Sequence, residues 1–364
     1  MTLSHDTDST VSRSAESMRD RLDLFSQMSV GLVVIGRNEG ERLRRCLASL
    51  RDIPNRVYVD SGSSDGSLAL ARKERFSVIE LKIPPAFTAA RARNAGLAQL
   101  LTERPGLEFV QMLDGDCEVQ PGWLQLAIEV LNRDPRLGLV FGRRRERFPE
   151  RSIYNALCDD EWNVPIGESV GCGGDALFRV SALRDVDFYN PLMIAGEDSE
   201  LSYRLRKRGW RLLRLDVEMV LHDANITSFR QWWRRTKRSG HGFAEMAYLH
   251  PDAKSPNWKR TVRSIVFWGA GLPTAVLAAM ALALCRDTHW WFAAIIGFGA
   301  WPLNAARLAI RQRSRGLSKK VARASGGLLM IGKFPQLLGV VGFHVNRLMR
   351  RTSVLIEYKG PENS

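Results

Sequence analysis

The chain has 364 residues, is 45% hydrophobic and carries a formal net charge of +14. That is ample material for a core and excludes a mainly disordered protein. From Lys259 onward 16 Lys or Arg face three acids, so the excess charge sits among apolar runs, which points to a membrane surface and away from nucleic acid as the partner. The five cysteines, Cys46, Cys117, Cys158, Cys172 and Cys285, are odd in number and widely spaced; they argue against a disulfide framework or a zinc site and for free thiols in a reducing compartment.

Residues 1–28 contain no apolar stretch of the kind that opens a secretory signal, and are expected to be a mobile lead-in with a short helix over Ser17–Phe25. Val30–Ile35 is a continuous, β-branched apolar run, which predicts a strand buried on both faces. Gly36–Gly40 is the turn, and Leu43, Cys46, Leu47 and Leu50 then recur at helical spacing. "RVYVD", "SGSSDGS" and "LALARKE" repeat strand, turn and helix. Two such units in succession imply a parallel sheet and an α/β domain whose ligand site lies at the carboxyl ends of the strands. The turn "GRNEGE" lacks the G-x-G-x-x-G pattern, which argues against a dinucleotide-dependent enzyme.

A third strand is predicted over Phe76–Ile83, a helix from about Ala89, and a fourth strand in "LEFVQML" that delivers Asp114 and Asp116 to the same edge as Asn38, Asp60 and Asp65. A carboxylate closing a buried strand must be solvated, paired or metal-bound. Residues i and i+2 of an extended segment share a side, and Gly115 between them permits close backbone approach.

Towards the C-terminus, Ser264–Cys285 runs 22 residues without a charge, and about 20 helical residues cross a bilayer core. Thr288–Ile310 is a second predicted span, with Trp290 and Trp291 at its edge as in an interfacial belt. Arg311–Arg323 holds six basic residues and no acid, which places it in the cytoplasm by the positive-inside rule. The third apolar stretch, 325–346, contains Lys333 and Pro335 and is expected to be a re-entrant or interfacial segment that returns the 347–364 tail to the cytoplasm.

Taken in order, "VVIGRNEG", "VDSGSSDGS", "ARNAG", "DGD", "GCGGDALFR" and "GEDSELSYRLRKRGW" resemble the family 2 glycosyltransferases of GT-A fold, in particular their membrane-associated bacterial members, from about Val30 to Arg235. The resemblance implies a mostly parallel sheet flanked by helices over 29–245. A juxtamembrane linker (246–263), the two spans (264–285 and 288–310), a basic cytoplasmic loop (311–324) and the third apolar segment follow. It implies an inverting, metal-dependent transferase of hexosyltransferase type in the inner (cytoplasmic) membrane. A sugar would pass from a nucleotide-diphosphate donor to a lipid-linked or membrane-proximal glycan acceptor, among membrane lipids, in polysaccharide or glycolipid biosynthesis. The rival reading is a catalytically inactive GT-A-fold membrane subunit, against which the acids at 114, 116 and 198 count.

By the same resemblance, Asp116 is the firmer ligand of Mg²⁺ or Mn²⁺, with Asp114 on the ribose or metal-bound water and His222 either completing the metal shell or serving a structural role. Asp60, with Asn38 and Glu39, contacts the nucleoside; Ser61 stands where the family often has a second acid. Arg91, Arg93 and Asn94 place the nucleotide, and Gly174 and Asp175 lie under the donor sugar. Asp198 is the acceptor's general base beside Glu197, although two acids at a helix start would also serve as a cap. Gln231, Trp232, Trp233 and Arg234 match the Gln-x-x-Arg-Trp segment of processive members, but Arg235 replaces its tryptophan. The same residues equally describe a helix on an anionic membrane.

Overall fold

The computed structural model describes residues 29–82 and 87–351. The expected lead-in 1–28, the end of the predicted third strand at Ile83 and most of the 347–364 tail lie outside these residues. The chain divides into two compact units. The first comprises residues up to Arg145, Pro165–Pro191 and Leu201–Asp223; the second comprises Glu146–Val164, Leu192–Glu200 and the remainder from Ala224.

The first unit is built on a nine-stranded sheet. Strands β1 (Val30–Gly36), β2 (Asn55–Asp60), β3 (Ser77–Glu80) and β4 (Phe109–Asp114) stand in the order β3-β2-β1-β4 and run parallel. The intervening helices Glu41–Ala48, Ser67–Lys73 and Ala89–Glu103 are the crossovers that parallel neighbours require. Val30 to Val34 are fully buried, in keeping with their unbroken β-branched run. Gly96 in the third crossover helix has no room for a side chain, since a Cβ would sit 2.4 Å from Val33 Cγ1. The register sets Gly36 beside Asp60 and Ile35 beside Asp114, so the two acidic strand ends share one edge.

Beyond β4 the sheet becomes antiparallel. After β5 (Cys117–Val119) come β6 (Leu137–Glu146), β7 (Gly167–Glu168), β8 (Ala176–Arg179) and β9 (Arg211–His222), and the order continues β4-β8-β6-β9-β5 with β7 on β9. The sheet is therefore mixed, with a parallel half that carries the crossovers.

The second unit is helical. Phe229–Leu249 packs along Lys333–Leu348 at backbone range: a Cβ on Gly240 would lie 2.1 Å from the Gln336 carbonyl oxygen, and one on Gly339 would lie 2.1 Å from that of Lys237. Among the described residues, three helical stretches are long and apolar enough to cross a membrane: Trp258–Cys285, Trp290–Ser314 and Lys319–Leu348. The first starts six residues before the predicted Ser264 and contains a π-turn at Phe267–Gly271, where the Leu272 N–H reaches back to Phe267 O. Pro273 explains it, since proline supplies no N–H and crowds the carbonyl four residues earlier.

The basic stretch expected as a loop over 311–324 is mostly helical, because one helix runs on to Ser314 and the next starts at Lys319 under the Ser318 cap. The third apolar segment is interrupted only at Gly332. Pro335 thereby falls in the first turn of Lys333–Leu348, where a missing N–H costs little.

Candidate functional site

At the ends of β1 and β2, most of the predicted nucleoside-facing residues hold one another. Asp60 is buried; its Oδ2 accepts from Gly62 N (2.9 Å) and Ser63 N (2.7 Å), and its Oδ1 accepts from the Tyr58 hydroxyl (3.1 Å). Burial, and then the Asp60 charge, push the Tyr58 phenol far up. Asn38 Oδ1 accepts from Ser64 N at 2.7 Å, and Asp65 binds Gly40 N at 2.8 Å and Ser67 N at 3.1 Å. Glu39 pairs with Arg42 at 2.9 Å. Asp60 and Asp65 thus accept from backbone N–H groups of these two turns, as Asx turns and helix caps do.

The aspartate pair of "DGD" does not form one extended face. The chain turns at Gly115–Asp116, leaving Asp114 on β4 and sending Cys117 onto β5. Gly115 makes its close approach to the neighbouring strand, with its N–H 2.8 Å from Ile35 O, where a Cβ would crowd to 3.1 Å.

Asp114 is flanked by two cations: Arg93 Nη2 bonds its Oδ1 at 2.9 Å and Arg144 Nη2 its Oδ2 at 3.1 Å. Arg144 Nε also lies 3.2 Å from Asp175 Oδ2, and Asp175 Oδ1 accepts the Asp114 N–H at 2.9 Å. A Cβ at Gly174 would stand 2.3 Å from Arg93 Nη2, so a side chain there would displace the guanidinium from Asp114. The Cys117 thiol donates to Asp175 Oδ2 at 3.1 Å; burial and then the Asp175 charge push it well up, so it stays a thiol.

Asp116 is buried and faces β9. The antiparallel register sets Cys117 opposite His222, and His222 Nε2 lies 3.2 Å from Asp116 Oδ2. Among the described residues, Asp116, Cys117 and His222 are the group whose ligand atoms lie within 4.8 Å of one another. This differs from the expected Asp114–Asp116–His222 set, because Asp114 belongs to the arginine cluster. Two ligands at right angles on a cation with roughly 2.1 Å bonds stand roughly 3 Å apart. The Asp116–His222 spacing fits that, and a carboxylate with an imidazole suits a divalent cation.

Other expected site residues have structural partners. Asn94 clamps the Tyr189 backbone, donating to its O at 2.7 Å and accepting from its N at 3.0 Å, and Arg91 donates to Lys82 O at 2.7 Å. In the second unit, Gln231 completes a capping box with Ser228 at the start of Phe229–Leu249. Trp232 is buried with Cys158, Ala224 and Ile226, and stacks on Tyr154 at 6.0 Å. Its ring belongs to that core, with Trp233 packed partly against it, while Arg234 is exposed. Arg235, in the place of the processive tryptophan, pairs with Glu161 at 2.9 Å. Glu197 and Asp198 open the helix Glu197–Lys207 behind Gly196, which has φ +81°. Glu197 is buried and Asp198 half-buried.

Sequence reasoning missed Arg144 and Cys117. In "GRRRE" the charges look like a solvated run, but strand alternation turns Arg144 inward while Arg145 pairs with Glu218 at 2.6 Å.

Residues 32–186 match the family model for glycosyl transferase family 2. The chain is similar to the pre-mycofactocin glycosyltransferase of Mycobacterium tuberculosis, at 29% identity over 288 residues that cover 75% of this chain and 57% of the relative. It thus spans a little over half the length of that relative. Similarity to the succinoglycan biosynthesis protein ExoA of Rhizobium meliloti is 25% over 283 residues, 72% of this chain and 79% of the relative. The solved mannosyltransferase PcManGT of Pyrobaculum calidifontis superimposes with a TM-score of 0.56 at 19% identity, covering 86% of both chains. Residues 32–186 are thus similar to the family 2 glycosyltransferases, and the chain has the fold of the solved mannosyltransferase, a GT-A fold.

Proposed function

We propose that this chain is a family 2 glycosyltransferase that moves a sugar, with inversion, from a nucleotide-diphosphate donor to a lipid-linked or membrane-proximal glycan acceptor. The observation that carries this reading is the Asp116–His222 pair at 3.2 Å, in a chain that also has three stretches apolar enough to cross a membrane. The similar mannosyltransferase was solved with GDP-Man and Mn²⁺, and one relative is a succinoglycan biosynthesis protein. Both agree with the substrate class.

A bound Mg²⁺ or Mn²⁺ would neutralise charge on the leaving diphosphate, and Asp116 and His222 would hold it. Asp114, fixed by Arg93 and Arg144, presents a partly exposed carboxylate to the ribose. Asp175 braces Asp114 from behind through the Asp114 N–H. Asp198 takes the proton of the attacking acceptor hydroxyl, a contribution of about 10²- to 10⁴-fold. The six basic residues of Arg311–Arg323 support a cytoplasmic location, at the inner membrane, for that segment and for the catalytic domain.

The test is nucleotide release by the full chain in lipid vesicles, supplied with GDP-mannose, UDP-N-acetylglucosamine or UDP-glucose, with and without polyprenyl phosphate. One donor should release nucleotide in an acceptor-dependent way, and a chelator should abolish the release until Mn²⁺ or Mg²⁺ is restored. Undiminished release in chelator would overturn the metal assignment. No release from any donor under any condition would favour the inactive-subunit reading.

A further inference from the structure

Within the second unit, the turn that opens helix Glu197–Lys207 is held along its length by the helix Phe229–Leu249 and the residues that follow it. Met193, Ile194 and Ala195 are buried. Arg238 Nε donates to Ile194 O at 3.1 Å. Ala195 lies against Gly242, where a Cβ would come within 3.0 Å of the Ala195 carbonyl oxygen. After Gly196, in the left-handed region, the helix begins and Glu200 N bonds Gly196 O at 2.9 Å.

In that first turn Glu197 and Glu200 face inward. Glu200 Oε1 accepts from His250 Nε2 at 3.0 Å. The His250 ring lies 6.0 Å from that of Trp258, a buried residue and the first of the apolar stretch Trp258–Cys285.

We propose that His250 is a positioning residue for the base-bearing turn, and that it ties the pose of Asp198 to the root of the first membrane-spanning stretch. The inference rests on the reading of Asp198 as general base. Two helical residues apart means a rotation of about 200°, so Glu200 and Asp198 point to nearly opposite sides of the helix. Drawing Glu200 onto His250 therefore fixes the rotation of the first turn and, with it, the direction in which Asp198 points. Gly196, free of side-chain restraint at positive φ, cannot set that rotation itself.

The experiment uses the full chain in vesicles, with whichever of the three donors above gives acceptor-dependent release. His250→Ala should lower kcat by about 10- to 100-fold, as expected for a small misplacement of a catalytic group, with the donor KM within about twofold of wild type. His250→Gln keeps an N–H donor towards Glu200 and should recover most of the rate. Because the two residues act as a unit, the double variant H250A/D198N should be no slower than D198N alone. Wild-type kcat in His250→Ala, with Asp198→Asn slow, overturns the role of His250 and leaves the base reading standing. Equal losses in His250→Ala and His250→Gln that add to that of Asp198→Asn show a purely structural role and also overturn it. Wild-type rate in Asp198→Asn overturns the base reading, and this inference with it.

Discussion

Two groups of acids in this protein are treated in opposite ways. At the strand ends of the first unit, Asp114 and Asp175 are matched by Arg93 and Arg144 at 2.9 to 3.2 Å. In the helical unit, Glu197, Glu200 and Glu245 gather so that burial, then the charges of Glu200 and Glu197, push the Glu245 carboxyl up to about 7. The first cluster balances its carboxylates with arginines; the second gathers carboxylates and raises one of them towards neutrality.

The comparison breaks most severely if the strand-end charge is removed. Asp116→Asn should reduce transfer by about 10³-fold or more, since cation assistance is worth several kcal/mol, while the unfolding transition stays near that of wild type. Nucleotide release across a Mn²⁺ titration checks this; a rate restored at high Mn²⁺ would indicate weakened binding of the ion in place of lost chemistry.

Arg144→Met tests the same cluster through stability. It leaves Asp175, which is fully buried, without one of its counter-charges, and removing one partner of a buried pair costs about 3–5 kcal/mol. Denaturant unfolding should show a loss of this size. Arg145→Met, whose partner Glu218 is about half-exposed, should cost less than about 1 kcal/mol.

A packing change sharpens the comparison from the other unit. Gly240→Ala sets a Cβ 2.1 Å from the backbone oxygen of Gln336, which rotation of a side chain cannot relieve. Overpacking of this kind costs about 1–3 kcal/mol, so the thermal transition in detergent should fall. Gly299→Ala, with nothing within 4 Å, should be neutral or slightly stabilising.

How far the sequence carried differs between the same two regions, for physical reasons. β1 was legible because a strand buried on both faces needs an unbroken apolar run, and Val30–Ile35 supplies one; in β4 the apolar run Phe109–Leu113 is interrupted only by Gln111, whose buried amide accepts from Trp123 Nε1 at 3.0 Å. The antiparallel half was not legible, because the pairing of β8 with β4 and β6, or of β5 with β9, joins strands far apart in sequence and leaves no local signature. For the same reason the reading put Asp114 and Asp116 on one face, whereas β4 and β5 take them to different neighbours. His222 was legible as a polar residue closing an apolar strand. Arg144 was hidden inside a charge run, and Asn94 gave no sign that its amide would be taken up by the Tyr189 backbone. In the helical unit the apolar stretches were plain from composition. Their ends shifted by several residues because the Asn257 and Ser318 caps and the Gly332 interruption set them.

The smallest effect is the one that separates the two kinds of acid most cleanly. Glu245 has an ordinary carboxyl value of 4.5, raised to about 7 in the folded protein. Between those values the folded chain keeps a proton that the unfolded chain gives up. The Glu245 contribution to stability therefore falls as pH rises through this window and levels off above about 7. Glu245→Gln is neutral in both states and has no such slope. The variant should match wild type near pH 4.5, gain on it steadily to pH 7 and hold its advantage at pH 8. Partial exposure of the carboxyl limits that advantage to about 1 kcal/mol. His241, whose Nε2 lies 3.7 Å from Glu245 Oε2, is pushed down to about 4 by burial; it charges below the window and leaves the difference intact. Thermal unfolding of both proteins in detergent at pH 5, 6, 7 and 8 checks the slope. An advantage for the variant that is constant across the four values would show that Glu245 is ionised throughout.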